Sequence, residues 1–170
     1  LPICIAKKVE TVQHPESVDF ALTYEELAAV FKGLGIDPAS IEAPPYETKA
    51  AAGGIGFPLN RGVQSSVKAL LEKDGRGDII MEYADGLKNC QEKLTRVKQG
   101  ALPIDYFEGM ACANGCVDGP GTLSQQGLTR VLVTKFAQGA AKKASDENEA
   151  ADRAVAANPE RYEVGQDNEM

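Results

Sequence analysis

The sequence predicts an α/β fold: one lobe in which a mainly parallel sheet is flanked by helices, followed by a C-terminal helix. Short apolar runs with the length of buried strands alternate along the chain with longer segments whose apolar residues recur at helical spacing. Glycines, prolines and helix-capping residues separate these segments. Such alternation is typical of parallel sheets, because each helix returns the chain to the edge where the next strand begins.

The first half of the chain predicts one strand, two helices and a long loop. An apolar run predicts a short buried strand over residues 3–6. Thr23 and Glu26 form a capping box, so a helix follows them and ends at the next two glycines. The prolines and glycines of residues 37–58 predict a long ordered loop. A second helix is expected over residues 62–75.

The second half predicts two strands and two helices. Residues 78–83 and 105–110 have the apolar character and length of strands. Between them, Asp85 is expected to cap a third helix. A last long helix is predicted over residues 126–141, with a continuation past Asp152.

Charge divides the chain into two predicted parts, a lobe over residues 1–143 and an acidic helical tail over residues 144–170. The tail carries −6 of the formal net charge of −7, which leaves the lobe close to neutral. Neither part has the basic face that a phosphate backbone requires, so we expect no nucleic-acid partner. A solvated helix is the simplest interpretation of the tail, and a docking surface for a partner domain is the alternative.

Cysteine usage and the absence of long apolar runs indicate the compartment. No apolar stretch approaches the roughly 20 residues that span a bilayer, and the N-terminus lacks the order of a secretory signal. The four cysteines are too few for a disulfide scaffold in 170 residues. We therefore expect a cytoplasmic protein without a membrane span, whose thiols stay reduced and are able to bind metal.

Two cysteines stand four residues apart on a glycine-rich turn. Cys112 and Cys116 directly follow a predicted strand, and Gly115, Gly119 and Gly121 surround them. Thiolates at this spacing can reach adjacent metals of one cluster, and glycines allow the backbone to approach the sulfurs and direct amides at them. The alternative is a pair of cysteines that is merely buried or redox-active.

A third cysteine lies near the N-terminus beside a cation. Cys4 is followed three residues later by Lys7, whose ammonium could donate to an anionic ligand of a metal cluster. The alternative is a buried strand cysteine next to a lysine that faces solvent. Cys90 is most simply a helix residue, and we leave it out of the candidate site.

Several stretches together resemble the FeFe-hydrogenases, or iron-only hydrogenases, and do so in order along the chain. Residues 4–10 (CIAKKVE) resemble the second signature of that family, and residues 108–116 (EGMACANGC) resemble the third. Residues 18–27 resemble its Asp-x-x-Leu-Thr-x-x-Glu-Leu stretch, and Gly53-Gly54 and residues 61–63 stand where it has a glycine-rich segment. The resemblance covers the C-terminal part of the domain that holds the H-cluster.

The resemblance implies a role for each matching residue. Cys4 and Cys112 would each bind an iron of the four-iron four-sulfur half of the H-cluster. Cys116 would bind that half and bridge to the di-iron subcluster. Lys7 would hydrogen-bond a cyanide ligand of the distal iron, and Met110 would line the di-iron pocket. The activity implied for the complete protein is the reversible oxidation of H2, with ferredoxin or another electron carrier as partner.

Departures from the family pattern qualify that activity. The first signature, whose Cys-Cys-Pro run supplies a further cluster ligand, is absent from the sequence, as are the ferredoxin-like modules. We therefore expect a fragment, inactive and apo by itself, that needs the N-terminal lobe and those modules of the same protein. Residues 119–123 (GPGTL) replace the Gly-Gly-Gly-Gln-Pro of fast enzymes, as in the divergent sensory branch.

Three other functions remain open at this stage. The protein could be a hydrogen- or redox-sensing regulator with slow turnover. It could be a structural iron–sulfur protein related to cytosolic cluster-assembly factors, with a plain four-iron cluster. It could also be a metal-free interaction domain whose cysteines are vestigial.

Overall fold

The computed structural model describes residues 4–16, 18–42, 50–123 and 127–157. Parts of four predicted segments lie outside the described residues, namely residue 3, residues 43–49, residue 126 and residues 158–170. In chain order the elements are α1 (Ile5–Gln13), α2 (Tyr24–Gly33), α3 (Ala52–Ile55), α4 (Gly62–Lys73), β1 (Met81–Asp85), α5 (Leu87–Lys98), β2 (Tyr106–Met110), a 3-10 turn (Cys116–Asp118), α6 (Leu128–Gln138), a second 3-10 turn (Ser145–Glu147) and α7 (Glu149–Ala157).

A parallel pair of strands confirms the predicted fold class. β1 pairs with β2 in the register Met81↔Tyr106 to Asp85↔Met110, and α5 forms the crossover between them. Parallel strands end at the same edge of a sheet. The register therefore puts Asp85 beside Met110, where the chain continues into the loop of Cys112.

Two predicted helices form with the expected ends. At α2, the Glu26 amide donates to Thr23 Oγ1 (3.2 Å) and the Thr23 amide donates to Glu26 Oε2 (2.8 Å), which is the predicted capping box. α4 begins at Gly62 as expected and ends just before Gly75, which has a φ of 73°. A positive φ is accessible to glycine and ends a helix by turning the chain away from its axis.

The predicted N-terminal strand is wrong in its described part, since α1 begins at Ile5. Cys4 is extended (φ −165°, ψ 138°) and precedes the first helical residue. Ile5, Val9 and Val12 are spaced as on one face of a helix, and Lys7 pairs with Glu10 three residues later. A run of four apolar residues is too short to distinguish a strand from the first turn of such a helix.

Three further boundaries differ from the predictions. The strand expected over residues 78–83 runs from Met81 to Asp85. Asp85 does not cap α5; Gly86 precedes that helix with a φ of 78°, and no side chain caps it. The long C-terminal helix is divided, because α6 ends at Gln138 and α7 begins at Glu149.

The buried core of the described residues is built from small side chains. Its hydrophobic members are Ala21, Ala51, Ala84, Val117 and Ala140. Larger apolar side chains on α1, α2 and α6 are exposed, among them Val12, Val30, Leu132 and Phe136. Among the described residues, no helix is both long enough and apolar enough to cross a membrane.

Candidate metal centre

The loop that carries Cys112 and Cys116 leaves the sheet at the end of β2 and reverses through two residues with positive φ. Asn114 has a φ of 67° and Gly115 a φ of 90°, and the Gly115 amide donates to the Cys112 carbonyl (3.2 Å). A 3-10 turn starts at Cys116. The reversal brings the second cysteine back beside the first.

Gly115 lets this loop cross closely over the segment that precedes α4. The Cys116 amide donates to the Pro58 carbonyl (2.8 Å), and Leu59 forms an antiparallel bridge with Gly115. A Cβ on Gly115 would lie 2.7 Å from both the Asn60 amide nitrogen and the Pro58 carbonyl oxygen. Only glycine fits this crossing.

Two further glycines bring the N-terminus to the cysteine loop. A Cβ on Gly119 would lie 3.1 Å from Cys112 Sγ, and a Cβ on Gly121 would lie 3.4 Å from Cys4 Cα. The Gly121 carbonyl also accepts a hydrogen bond from the Tyr24 amide at the start of α2 (2.9 Å). The predicted close approach of backbone to the cysteines is thus present at these two glycines.

The three cysteines influence one another electrostatically. Burial raises the pKa of the Cys112 thiol, and the Cys4 thiol adds to the shift. Burial also raises the pKa of Cys116; the thiols of Cys112 and Cys4 add to that shift, while the Lys7 ammonium opposes it. The neutral thiol is therefore favoured at both positions, so metal binding there has to displace a proton.

Lys7 lies on the first turn of α1, close to these thiols. Its ammonium pairs with Glu10 of the same helix, and its side chain is about half exposed, at 49%. The hydrogen bond to Glu10 raises the pKa of Lys7, and the sulfurs of Cys4 and Cys116 add to the effect. The cation is thus placed where it can offset negative charge on the thiolates.

Met110 and Cys90 lie around the end of β2. Met110 is its last residue, and its carbonyl accepts from the Gly86 amide (2.9 Å). Cys90 lies on α5, as predicted, and its thiol donates to the carbonyls of Ala84 (3.5 Å) and Met110 (3.6 Å). That thiol is engaged by the backbone of the two strands.

Sequence reasoning missed a carboxylate that joins the two loops of the site. Asp85 Oδ2 accepts from the Asn114 amide (2.9 Å) and from Asn60 Nδ2 (3.1 Å). Its position directly before a helix made it resemble a helix cap. The feature that indicates this role is the positive φ of Asn114, and φ can be read only from the structure.

A second missed carboxylate joins β2 to the start of α4. Glu108 of β2 is only 6% exposed, and its Oε2 accepts from the Gln64 amide in the first turn of α4 (2.5 Å). Its other oxygen, Oε1, is buried without a hydrogen-bond partner among the described residues. A carboxylate at a helix N-terminus is stabilised by the partial positive charge there.

The described residues also line a cavity of about 430 Å³ between α3, α4 and α6. Three cations, Arg61, Arg130 and Lys143, are among its lining residues, and the three site cysteines are not. Arg61 stacks over the Tyr83 ring (4.8 Å to the ring centre), and Lys143 Nζ donates to the carbonyls of Gln138, the last residue of α6, and of Ala140. This cavity is separate from the cysteines.

The donor chemistry of the site, three cysteine thiols, fits an iron–sulfur cluster. Within the described ranges, no three His, Cys, Asp or Glu side chains converge as ligands of one metal ion. A cluster offers each thiolate its own iron, so its ligands stand further apart. The set consists of three sulfurs without a histidine, and glycines next to Cys112 and Cys4 leave room beside them.

The fold and the site define an α/β domain with cysteines gathered at the carboxyl edge of a parallel sheet. The chain belongs to the family described as iron only hydrogenase large subunit, C-terminal domain, which matches residues 2–120. This membership confirms the family resemblance read from the sequence motifs.

Curated relatives and a solved structure are consistent with that membership. Over 53 residues the chain is 42% identical to cytosolic iron-sulfur assembly component 3 of Pongo abelii. That match covers 31% of this chain and 11% of the relative. It is 37% identical over 51 residues to nuclear prelamin A recognition factor of Homo sapiens, 30% of this chain and 11% of the relative. These matches thus span about a tenth of the relatives' length.

The solved structure is that of an [FeFe]-hydrogenase. It superposes with a TM-score of 0.58 at 16% identity and covers 91% of this chain and 57% of that one. At this identity the likeness establishes the fold and nothing further.

Proposed function

We propose that this chain forms one wall of an iron–sulfur cluster site, with Cys4, Cys112 and Cys116 as thiolate ligands. The observation that carries the proposal is that the three cysteines, which come from opposite ends of the family-matched region, meet around two glycines. A Cβ on Gly119 would lie 3.1 Å from Cys112 Sγ and 3.2 Å from the Cys116 carbonyl oxygen, and one on Gly121 would lie 3.4 Å from Cys4 Cα. A further ligand comes from another segment of the complete protein, which fits a chain that covers part of each relative.

A cluster held at these residues would exchange single electrons, and in a hydrogenase its di-iron group would supply the site of H2 chemistry. The residues of the chain perform the supporting steps. Cys112 and Cys116 release their protons when they bind iron, so loading is favoured as the pH rises. Lys7 offsets the resulting negative charge near Cys116, and Gly119 leaves space beside Cys112 Sγ.

For the complete protein, we infer slow or sensory oxidation of H2 to two protons and two electrons as the activity. Family membership supports this inference, as do the position of Lys7 near Cys116 and that of Met110 at the start of the cysteine loop. In that role Lys7 would donate a hydrogen bond to a ligand of the di-iron group, and Met110 would line its pocket.

A role in cluster assembly without hydrogen chemistry is the second candidate. Two observations favour it: the assembly factors among the curated relatives, and the engagement of the Lys7 ammonium by Glu10. Infrared spectroscopy of the complete, anaerobically isolated protein separates the two. Bands of bound carbonyl and cyanide would support hydrogen chemistry, and their absence from a cluster-loaded sample would support the assembly role.

The ligand assignment is tested by cysteine substitution in the complete protein. We expect Cys4→Ser, Cys112→Ser and Cys116→Ser each to lose most of the iron and sulfide that the unsubstituted protein takes up on anaerobic reconstitution. Cys90→Ser is the matched control and should keep both, because its thiol contacts strand carbonyls. A Cys112→Ser or Cys116→Ser protein with unchanged iron and sulfide would refute the proposal.

A further inference from the structure

Asp85 lies where the sheet meets the cysteine loop. It is the last residue of β1, and the register places it opposite Met110, the last residue of β2. The Gly86 amide donates to the Met110 carbonyl (2.9 Å), which continues the strand pairing one residue further. The backbone of Asp85 is therefore held firmly at the point from which the chain departs toward Cys112.

The carboxylate of Asp85 joins two loops through a single oxygen. Oδ2 accepts from the Asn114 amide (2.9 Å), which lies between the two cysteines of the loop. The same oxygen accepts from Asn60 Nδ2 (3.1 Å), which belongs to the segment before α4. Hydrogen bonds to a charged acceptor are stronger than neutral ones, so this oxygen fixes the spacing of the two loops.

The same two loops meet again at Cys116. The Cys116 amide donates to the Pro58 carbonyl, and Leu59 bridges to Gly115. The position of the Cys116 backbone therefore depends on how the segment before α4 sits against the cysteine loop.

The backbone of Asn114 is strained, so the cysteine loop needs a contact from another part of the chain to hold its conformation. Its φ of 67° is left-handed, a conformation that costs free energy for a residue with a Cβ. The hydrogen bond from its amide to Asp85 offsets that cost in the folded loop. When the carboxylate is removed, the Asn114 amide and Asn60 Nδ2 both lose their acceptor.

We propose that Asp85 is the positioning residue of the cysteine loop: it holds the loop against the segment before α4 and so sets Cys116 for iron binding. The statement that Asp85 sets Cys116 for iron binding rests on the proposed function, in which Cys116 is a ligand. Asp85 is not a ligand in this arrangement and acts through Asn114 and Asn60.

The test compares Asp85→Ala with Asp105→Ala. Asp105 is the matched control, because its Oδ2 also accepts a backbone amide, that of Ile80 (2.9 Å), but at the opposite end of the sheet. In the metal-free chain, we expect amide hydrogen exchange at Asn114 and Cys116 to become about tenfold faster in Asp85→Ala, as for the loss of one such hydrogen bond. Asp105→Ala should leave these amides unchanged.

A conservative variant and an iron measurement complete the test. Asp85→Asn keeps an acceptor oxygen without the charge, so its exchange rates should lie between those of the unsubstituted chain and Asp85→Ala. In the complete protein, Asp85→Ala should release iron to a chelator about tenfold faster than Asp105→Ala, by the same loss of one hydrogen bond. Equal exchange at Asn114 and Cys116 in both alanine variants would overturn the positioning role.

The two proposals fail in distinguishable ways. If the unsubstituted complete protein takes up no iron, the proposed function fails, and the exchange rates of the metal-free chain alone decide whether Asp85 holds the loop. If that protein binds iron and Asp85→Ala releases it at the unsubstituted rate, the proposed function stands and the inference about Asp85 is wrong.

Discussion

Gly115 illustrates how one residue controls the approach of two loops at the candidate site. Its φ of 90° and ψ of −177° belong to a region that only glycine populates freely. Its missing Cβ makes room for Pro58 and Asn60, whose backbone atoms would lie 2.7 Å from such an atom. The backbone conformation and the lack of space therefore both require glycine directly before Cys116.

We expect Gly115→Ala to lower the free energy of unfolding by about 2–4 kcal/mol, the sum of backbone strain and overpacking. Gly127→Ala is the matched control: its φ is 83°, but no atom of the described residues lies within 4 Å of its ideal Cβ. That variant should cost about 1 kcal/mol from backbone strain alone. Urea unfolding of both variants measures the difference, and equal costs would show that the loop yields to the added methyl group.

At the scale of elements, the site depends on β2 being attached both to β1 and to the start of α4. Glu108 makes the second attachment, because its buried carboxylate accepts the Gln64 amide. The Pro58–Asn60 segment that meets the cysteine loop leads directly into α4. The carboxylate therefore holds the helix that anchors this segment.

We expect Glu108→Ala to destabilise the chain by roughly 1–3 kcal/mol, because the Gln64 amide is left buried without its acceptor. Glu108→Gln keeps an acceptor oxygen and should cost less. The control is Glu82→Ala on β1, whose partly exposed ion pair with Lys93 should contribute only about 0–1 kcal/mol. Chemical denaturation measures all three, and a Glu82→Ala cost equal to that of Glu108→Ala would contradict the role assigned to Glu108.

Among the described residues, several large apolar side chains are exposed and the buried core is small. Phe20, which precedes α2, is 72% exposed and Phe136 of α6 is 54% exposed, whereas the buried hydrophobic side chains of the described residues are four alanines and a valine. The chain corresponds to 57% of the hydrogenase chain that it superposes on. The expectation that another lobe of the complete protein covers these side chains stays a prediction.

Hydroxyl-radical footprinting tests that prediction on the whole protein. Phe20 and Phe136 should be labelled in the 170-residue chain and protected in the complete protein, because the neighbouring lobe would exclude solvent from them. Tyr106, which is half-buried at the edge of the sheet opposite the cysteine loop, serves as an internal reference, and its labelling should change little. Equal labelling of both phenylalanines in the two proteins would show that other surfaces receive the lobe.

Local patterns in the sequence were sufficient for much of the fold. The capping box at Thr23, the glycine after α4 and the alternation around α5 depend on residues close together in the chain, so they could be predicted. Cysteine spacing and motif order similarly identified the family, because the matching residues follow one another in the same order along the chain. The roles of Lys7, Met110 and the three cysteines remain predictions.

Other features could not be predicted from a few neighbouring residues. The strand expected near Cys4 is the start of a helix, since four apolar residues cannot show which period continues beyond them. Asp85 supports the cysteine loop instead of capping α5, because the parallel register brings Asn114 and Asn60 to its carboxylate. Residue types and spacing in the sequence determined which side chains could bind metal. The tertiary structure decided which of them meet, because loop crossings and strand register are set by packing between residues far apart in the chain.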